Sequence, residues 1–230
     1  MNKIAVITAV VGLKELSLYP PTYKNADYFI FSDLDLPKHD VWNVRKLYPA
    51  FIDKEYENRR TGKIPKIIPH YLLPDYEYFI WHDYTHYVKL DPQTIVDTYL
   101  KDHDFAFFKH PHRKCWYEEL VTVRMASLDN KDILDQQKEF YERTGVKKKQ
   151  DFYECTCFVR RNNEVANKVC SLWYDHVSKF SSRDQLSLPA AIQAYNPRVN
   201  VMEGTCQMYY GNNKIIPQYR HSLRLQKLVK

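Results

Sequence analysis

The stretch Tyr78-Phe79-Ile80-Trp81-His82-Asp83 decides how the chain is read: an apolar run closes abruptly on a polar pair. A continuous apolar run, as opposed to an alternating one, describes a strand covered on both faces, as strands of parallel sheets are. Two earlier runs have the same form, Ile4 to Val11 and Tyr28 to Ser32 within DYFIFSD. Each stops at polar residues or glycine. The spacing therefore predicts an α/β fold whose central sheet gathers Thr8, Gly12, Asp33 and Asp83 at the carboxyl ends of its strands. In open α/β sheets that edge is where ligands are held.

Outward from this core, segment 45–73 mixes aromatic anchors with the basic residues Arg59, Arg60, Lys63 and Lys66, followed by His70. It reads either as a solvated charge run or as a means of neutralising phosphate. Beyond the third strand the pattern predicts a helix over 93–102, a strand from Phe105 to Phe108, and a helix over 116–127 with Leu120, Val121, Met125 and Leu128 near one face. A helix over 129–144 stops at Gly145. In the strand DFYECTCFVRR, the two-residue period places Tyr153, Cys155, Cys157 and Val159 on one face, which favours packing over metal ligation for the two cysteines. Asn163 is suited to cap a helix carrying Val165, Val169, Leu172 and Trp173, and SSRDQLSLPAAI opens a further turn or helix. No repeat or low-complexity linker divides the sequence, so one domain over residues 1–230 is expected, with a basic tail over 212–230.

Composition narrows the classes. With 230 residues and 44% hydrophobic content the chain can bury a sizeable core. Its 34 Lys and Arg against 28 Asp and Glu favour anionic partners, yet +6 is too small a surplus for a nucleic-acid coat, and no nucleic acid is expected. Only five glycines are present and neither GxGxxG nor GxxxxGK[ST] occurs, which removes the usual support for a dinucleotide-binding enzyme or a P-loop nucleotidase. Five cysteines without CxxC spacing point to a reducing compartment. The start MNKIAVITAVVG reads as a buried strand, not as a signal peptide. The last twenty residues, with five Lys or Arg and no acid, would pack or make weak peripheral contact with an anionic membrane, giving an expected location in the cytoplasm or at the cytoplasmic membrane face.

Three clusters carry chemistry. In YFIWHDYTHYVKLDP, Asp83 at a strand exit is suited to hold Mn²⁺ or Mg²⁺ against a diphosphate, or to close a surface turn. In FSSRDQLSLP, Asp184 can orient or deprotonate a hydroxyl, Arg183 balance phosphate and Gln185 hold a sugar, or Ser181 or Ser182 can simply cap a helix. In KHPHRKCWYEEL, His110 and Arg113 face a phosphate or acceptor while Glu118 or Glu119 binds a hydroxyl, or the set forms surface salt bridges.

Taken in order, TAVVG, FIFSD, NRRTGKIPKIIPHYLLPDYEYFIWHD, KHPHRKCWYEE and FSSRDQLSLP resemble the family catalogued as domain of unknown function 616, whose plant members include mucilage- and pectin-related glycosyltransferases. The resemblance spans residues 4–195. It implies a compact GT-A-like nucleotide-sugar-binding domain, with a mostly parallel mixed sheet flanked by helices, that transfers a sugar from a UDP-sugar to a glycan or glycoconjugate hydroxyl in polysaccharide biosynthesis. It further implies metal at Asp83, with Thr85 acting through water because a second carboxylate is missing, and the nucleotide against Thr8, Gly12 and Asp33. Arg60 and Lys66 would face phosphate, and the intact Arg183-Asp184-Gln185 would stand near the transferred sugar. One plant member of that family has been assigned ceramidase activity, so a lipid-amide hydrolase with a metal among His82, Asp83, His86 and His110 is the competing class; a non-catalytic glycan- or phosphate-binding module is the third.

Overall fold

The computed structural model describes residues 3–12, 17–18, 20–51, 56–206, 215–216 and 226–227. Strands β1 (Ile4–Val10), β2 (Ser17–Leu18), β3 (Asp27–Ser32) and β4 (Trp42–Lys46) precede helices α1 (Glu57–Ile67) and α2 (Pro69–Leu72). Then follow β5 (Tyr78–His82), α3 (Pro92–Tyr99), β6 (Phe105–Lys109), α4 (Trp116–Met125), α5 (Lys131–Arg143) and β7 (Tyr153–Arg161). Helices α6 (Glu164–Lys179) and α7 (Asp184–Tyr195) and strands β8 (Val199–Met202) and β9 (Gln226–Lys227) complete the described elements.

Seven strands form one sheet in the order β4-β3-β1-β5-β7-β6-β8, and β2 pairs with β9 separately. Strands β4, β3, β1 and β5 run parallel, β7 is antiparallel to both β5 and β6, and β8 is parallel to β6. This is the mostly parallel α/β architecture expected from the apolar runs. Because β1, β3 and β5 are parallel, their carboxyl ends share one edge, and the Asp83 N–H donates to the Thr156 carbonyl of β7 at 2.9 Å there.

Both sheet faces are buried, which is why the runs are apolar throughout. Val6, Ile30, Ile80 and Ala106 pack with Ile95, Val96 and Leu100 of and beside α3. Ala5, Phe29, Phe79 and Phe158 pack on the other face with Ile67 of α1, Trp173 of α6 and Leu188 of α7. A third cluster joins α4, α5 and α7 through Trp116, Leu134, Tyr141 and Leu186.

Several local expectations need correction. Cys155 packs with Tyr153 on the α6 side, whereas Cys157 and Val159 pack on the α3 side. The cause is a bulge: Phe107 lies opposite Phe158 but Phe108 opposite Glu154, so β7 carries extra residues that invert the alternation. Helix α4 buries Trp116, Glu119, Leu120 and Val123, leaving Met125 82% exposed along with Val121 and Leu128 at its outer side. Arg183 stands at the N-cap of α7 in place of Ser181 or Ser182, whose hydroxyls instead bond the buried Asp129 carboxylate at 2.7 and 2.8 Å. The Asn163 cap forms as expected, its side chain accepting the Ala166 N–H at 2.9 Å. All five cysteines are free thiols. Most of the 212–230 tail lies outside the described residues. Among the described residues no helix is long and apolar enough to cross a membrane.

Candidate functional site

Helix α1 builds the site. Its sequence ENRRTGKIPKI has little helical appeal, with Gly62 and Pro65 inside it, and its stability comes from the buried Thr61, Pro65 and Ile67 packing against the sheet and α6. Arg59, Gly62, Lys63 and Lys66 fall at i, i+3, i+4 and i+7 and share one face. That face lines a cavity of about 360 Å³ closed by Ala9, Val10 and Val11 at the end of β1 and by Trp81, Asp83 and Tyr84 at the end of β5.

Two carboxylates meet the lysines. Lys66 Nζ lies 2.6 Å from Asp184 Oδ2 and 3.5 Å from Asp83 Oδ1, and Lys63 Nζ lies 3.1 Å from Asp184 Oδ1. Trp81 Nε1–H donates to the same Asp83 oxygen at 3.1 Å, and the Lys66 ammonium stands 5.5 Å from the Trp81 ring centroid. Asp184 is buried in the first turn of α7, where the helix dipole favours an anion, and its backbone carbonyl accepts the indole N–H of the fully buried Trp173 at 2.8 Å. Burial alone would raise the Asp184 carboxyl, but the ammonium groups of Lys63 and Lys66 overcome it and hold the group well below the usual carboxylate range. Burial likewise disfavours the Lys66 charge, and Asp184 and Asp83 reverse this and hold it above the ordinary lysine value. Lys63 is lowered, burial outweighing its pairing with Asp184. Asp83, with its side chain 42% exposed, is the carboxylate at the mouth.

The remaining candidate residues separate into those at this edge and those elsewhere. Gly12 donates its N–H to both Asp33 oxygens at 3.0 and 3.1 Å, so Asp33 fastens the loop after β1 to the end of β3. Thr8 is fully buried within β1, does not line the cavity, and its hydroxyl has no hydrogen-bond partner among the described residues. Arg60 is one residue off the cavity face: its guanidinium turns into the protein and donates to the carbonyls of Val177 at 3.2 Å and Phe180 at 2.7 Å. Arg59 and Lys63 take the cavity-facing side instead, and their helical spacing with Lys66 was the signal available in the sequence.

The Arg183 guanidinium lies 4.0 Å from the buried Glu119, which pairs closely with Arg113, while Gln185 donates to the Tyr153 carbonyl at 3.3 Å. Glu118 accepts the Lys114 N–H at 2.7 Å and closes the turn before α4. His110 is buried, and its Nδ1 accepts the N–H groups of His112 and Arg113 at 3.1 and 3.0 Å; burial, Arg113 and His112 push the imidazole down to about 4. His110, His112, Arg113, Lys109 and Lys114 line a second cavity of about 390 Å³, and the Arg113–Glu119–Arg183 chain leads from it to Asp184.

Among the described residues the donor set does not suit a divalent ion held by protein groups. Among the described residues no three His, Cys, Asp or Glu side chains converge as metal ligands. Thr85 donates to His86 Nδ1 at 3.0 Å, and His86 Nε2–H is spent on the Cys206 carbonyl at 3.1 Å. His82 Nδ1–H donates to the Asp83 carbonyl at 3.0 Å, so the His82, Asp83, His86 and His110 centre considered for a hydrolase is not assembled.

Gly12 yields a direct prediction. Its φ of +76° is left-handed, and an added Cβ would press on the Asn58 amide, 2.9 Å from Cγ. Gly12→Ala should destabilise the protein by about 1–2 kcal/mol and displace Asn58, which lines the cavity. An unchanged thermal midpoint would contradict this.

The domain is a mostly parallel α/β sheet with a charged cavity at the carboxyl ends of its strands. The fold matches the bifunctional glycosyltransferase WbbM in its apo structure, with TM-score 0.53 and 13% identity over 87% of this chain and 39% of that one. A family model, the TOD1/MUCI70 glycosyltransferase-like domain, matches residues 41–221, and the chain belongs to that family. Among curated relatives, the probable hexosyltransferase MUCI70 of Arabidopsis thaliana is 28% identical over 141 residues, which is 57% of this chain and 24% of that protein. Alkaline ceramidase TOD1, also of Arabidopsis thaliana, is 26% identical over 196 residues, covering 80% of this chain and 41% of that protein. The chain thus spans less than half the length of either.

Proposed function

We propose that this domain is a glycosyltransferase that moves a sugar from a nucleoside diphosphate donor, UDP-linked in the first instance, to a hydroxyl of a glycan or glycoconjugate. The observation that carries the reading is the cavity at the carboxyl ends of β1 and β5, where Arg59, Lys63 and Lys66 face Asp83. The family model and the hexosyltransferase relative support it. The diphosphate lies along the α1 cations, with the nucleoside toward Gly12 and Asp33 and the sugar toward Asp83. The acceptor approaches from the His110–Arg113 cavity. In the transfer the bond from the anomeric carbon to the phosphate oxygen breaks with its electron pair on the departing diphosphate. The acceptor oxygen bonds the anomeric carbon, and its proton passes to Asp83 or to the diphosphate, the two acceptors at the mouth. Asp184 acts by orienting the two lysines, since a carboxylate so strongly held in its ionised form is a poor proton acceptor.

Ligand-detected NMR across a panel of UDP- and GDP-sugars, with and without Mn²⁺, followed by turnover assays on the sugars that bind, tests the proposal. Saturation transfer to a nucleotide sugar and release of its nucleoside diphosphate are expected. Absence of any nucleotide binding, with release of fatty acid from ceramide, would replace transfer by hydrolysis.

A further inference from the structure

We infer that the donor diphosphate is bound, and its developing charge met, by Lys66, Lys63 and Arg59 directly, with no divalent ion between protein and phosphate. The inference rests on the transfer reading and specifies how its donor site works.

The first observation is where the Lys66 ammonium stands. It sits between the two carboxylates of the site, 2.6 Å from Asp184 and 3.5 Å from Asp83, and so supplies the positive charge between them. The second is that the ligands needed for such an ion are committed elsewhere. Asp83 Oδ1 already accepts the Trp81 indole N–H, and Thr85, two residues on where another acid would extend the site, is turned to His86. A magnesium or manganese ion held through a single carboxylate oxygen would depend almost wholly on the ligand and water for its shell.

The third observation is charge. Three cations, Arg59, Lys63 and Lys66, and one carboxylate, Asp83, line the cavity, while Asp184 lies behind the lysines and outside the lining. The lining surplus of two positive charges matches the two negative charges of a diphosphate esterified at both ends. Asp184 has the task of a buried counter-ion: it keeps two closely spaced ammonium groups folded against the sheet and ionised, at a point where burial would otherwise drive their protons off. Lysines held in this way act as point charges on phosphate oxygens. The helix supplies them at one turn's spacing, which spreads the charge along two successive phosphates.

Titration calorimetry of UDP, GDP and inorganic pyrophosphate against the whole chain, in EDTA and in Mn²⁺, provides the test, with Asp83→Asn, Lys63→Met and Lys66→Met as variants. The inference expects binding in EDTA that Mn²⁺ leaves within about threefold. Lys63→Met and Lys66→Met should each weaken it about 10- to 100-fold, the loss of one charge-assisted contact. Asp83→Asn should retain or tighten it, because the lining gains net positive charge. This variant is nearly isosteric at a half-exposed site and remains informative should Lys66→Met fail to fold. Binding that requires Mn²⁺ and disappears in Asp83→Asn overturns the inference and leaves the transfer reading standing. No binding of any of the three ligands under either condition overturns both.

Discussion

Asp184→Asn is expected to destabilise the protein by about 3–5 kcal/mol and to abolish transfer. The carboxylate is buried between Lys66 at 2.6 Å and Lys63 at 3.1 Å, so removing its charge leaves two ammonium groups close together with Asp83, 3.5 Å from Lys66, as the remaining acidic neighbour. The penalty comes from those orphaned charges more than from a lost attraction. The double variant Asp184→Asn/Lys63→Met should therefore recover part of the lost stability, since it removes one of the uncompensated cations, while transfer stays absent. Urea unfolding of the four members of the cycle measures this coupling. If Lys63→Met adds to the damage of Asp184→Asn instead of relieving it, Asp184 is not the counter-ion of the pair.

The strands around this site were legible because their chemistry is extreme. Ile4 to Val10, Asp27 to Ser32 and Tyr78 to His82 are covered on both faces, and two-sided burial leaves an unbroken apolar run. Strand β4 was missed for the opposite reason: at the sheet edge only Trp42 of Trp42–Lys46 is buried, and WNVRK has no run to read. β8 is four residues at the other edge and equally mute. The bulge in β7 was invisible because it arises from pairing with β6, so the period-two reading placed Cys155 and Cys157 on one face when they lie on two.

The site itself was half legible. Asp83 and Asp184 stand 101 positions apart in the chain, and polar residues at a strand exit and after an amphipathic helix marked both. What joins them is α1, whose Gly62 and Pro65 hid a helix within a basic stretch. Without the helix there was no reason to prefer Arg59 and Lys63 to Arg60. With it, a rotation of about 100° per residue turns Arg60 toward the α6 carbonyls and Arg59 toward the cavity. Likewise Asp33, a candidate for direct nucleotide contact, makes its visible bonds to Gly12 and so shapes the loop after β1.

Acidification from pH 7 to about pH 5 should lower the unfolding free energy by about 2 kcal/mol or more through the buried histidines. His82, His70 and His110 are all buried and all held down to about 4 from an ordinary value of 6.5. For His82 burial dominates, with the His86 ring adding to it and the bond to the Asp83 carbonyl only partly offsetting it. At His70 burial acts with the Arg160 guanidinium, which donates to Nδ1 at 2.9 Å, so protonating that nitrogen destroys a hydrogen bond inside the protein. Protonating His110 at Nδ1 would break two. The sign follows from proton uptake. Below 6.5 the unfolded chain binds a proton at each histidine while the folded chain does not until about 4, so stability falls across that window and the loss levels off beneath it. His82 alone accounts for about 3 kcal/mol over the full window; His70 and His110, nearer the surface, add less. Asp184 contributes in the same direction at lower pH: its stabilisation is present above the ordinary carboxylate value and is lost as pH falls below it toward the depressed folded value. Urea midpoints measured from pH 7.5 down to about 4 should thus decline through the histidine range first. His82→Gln should flatten that decline by about one proton, and a wild-type midpoint that stays level between pH 7 and 5 would show that these imidazoles are not held neutral by the fold.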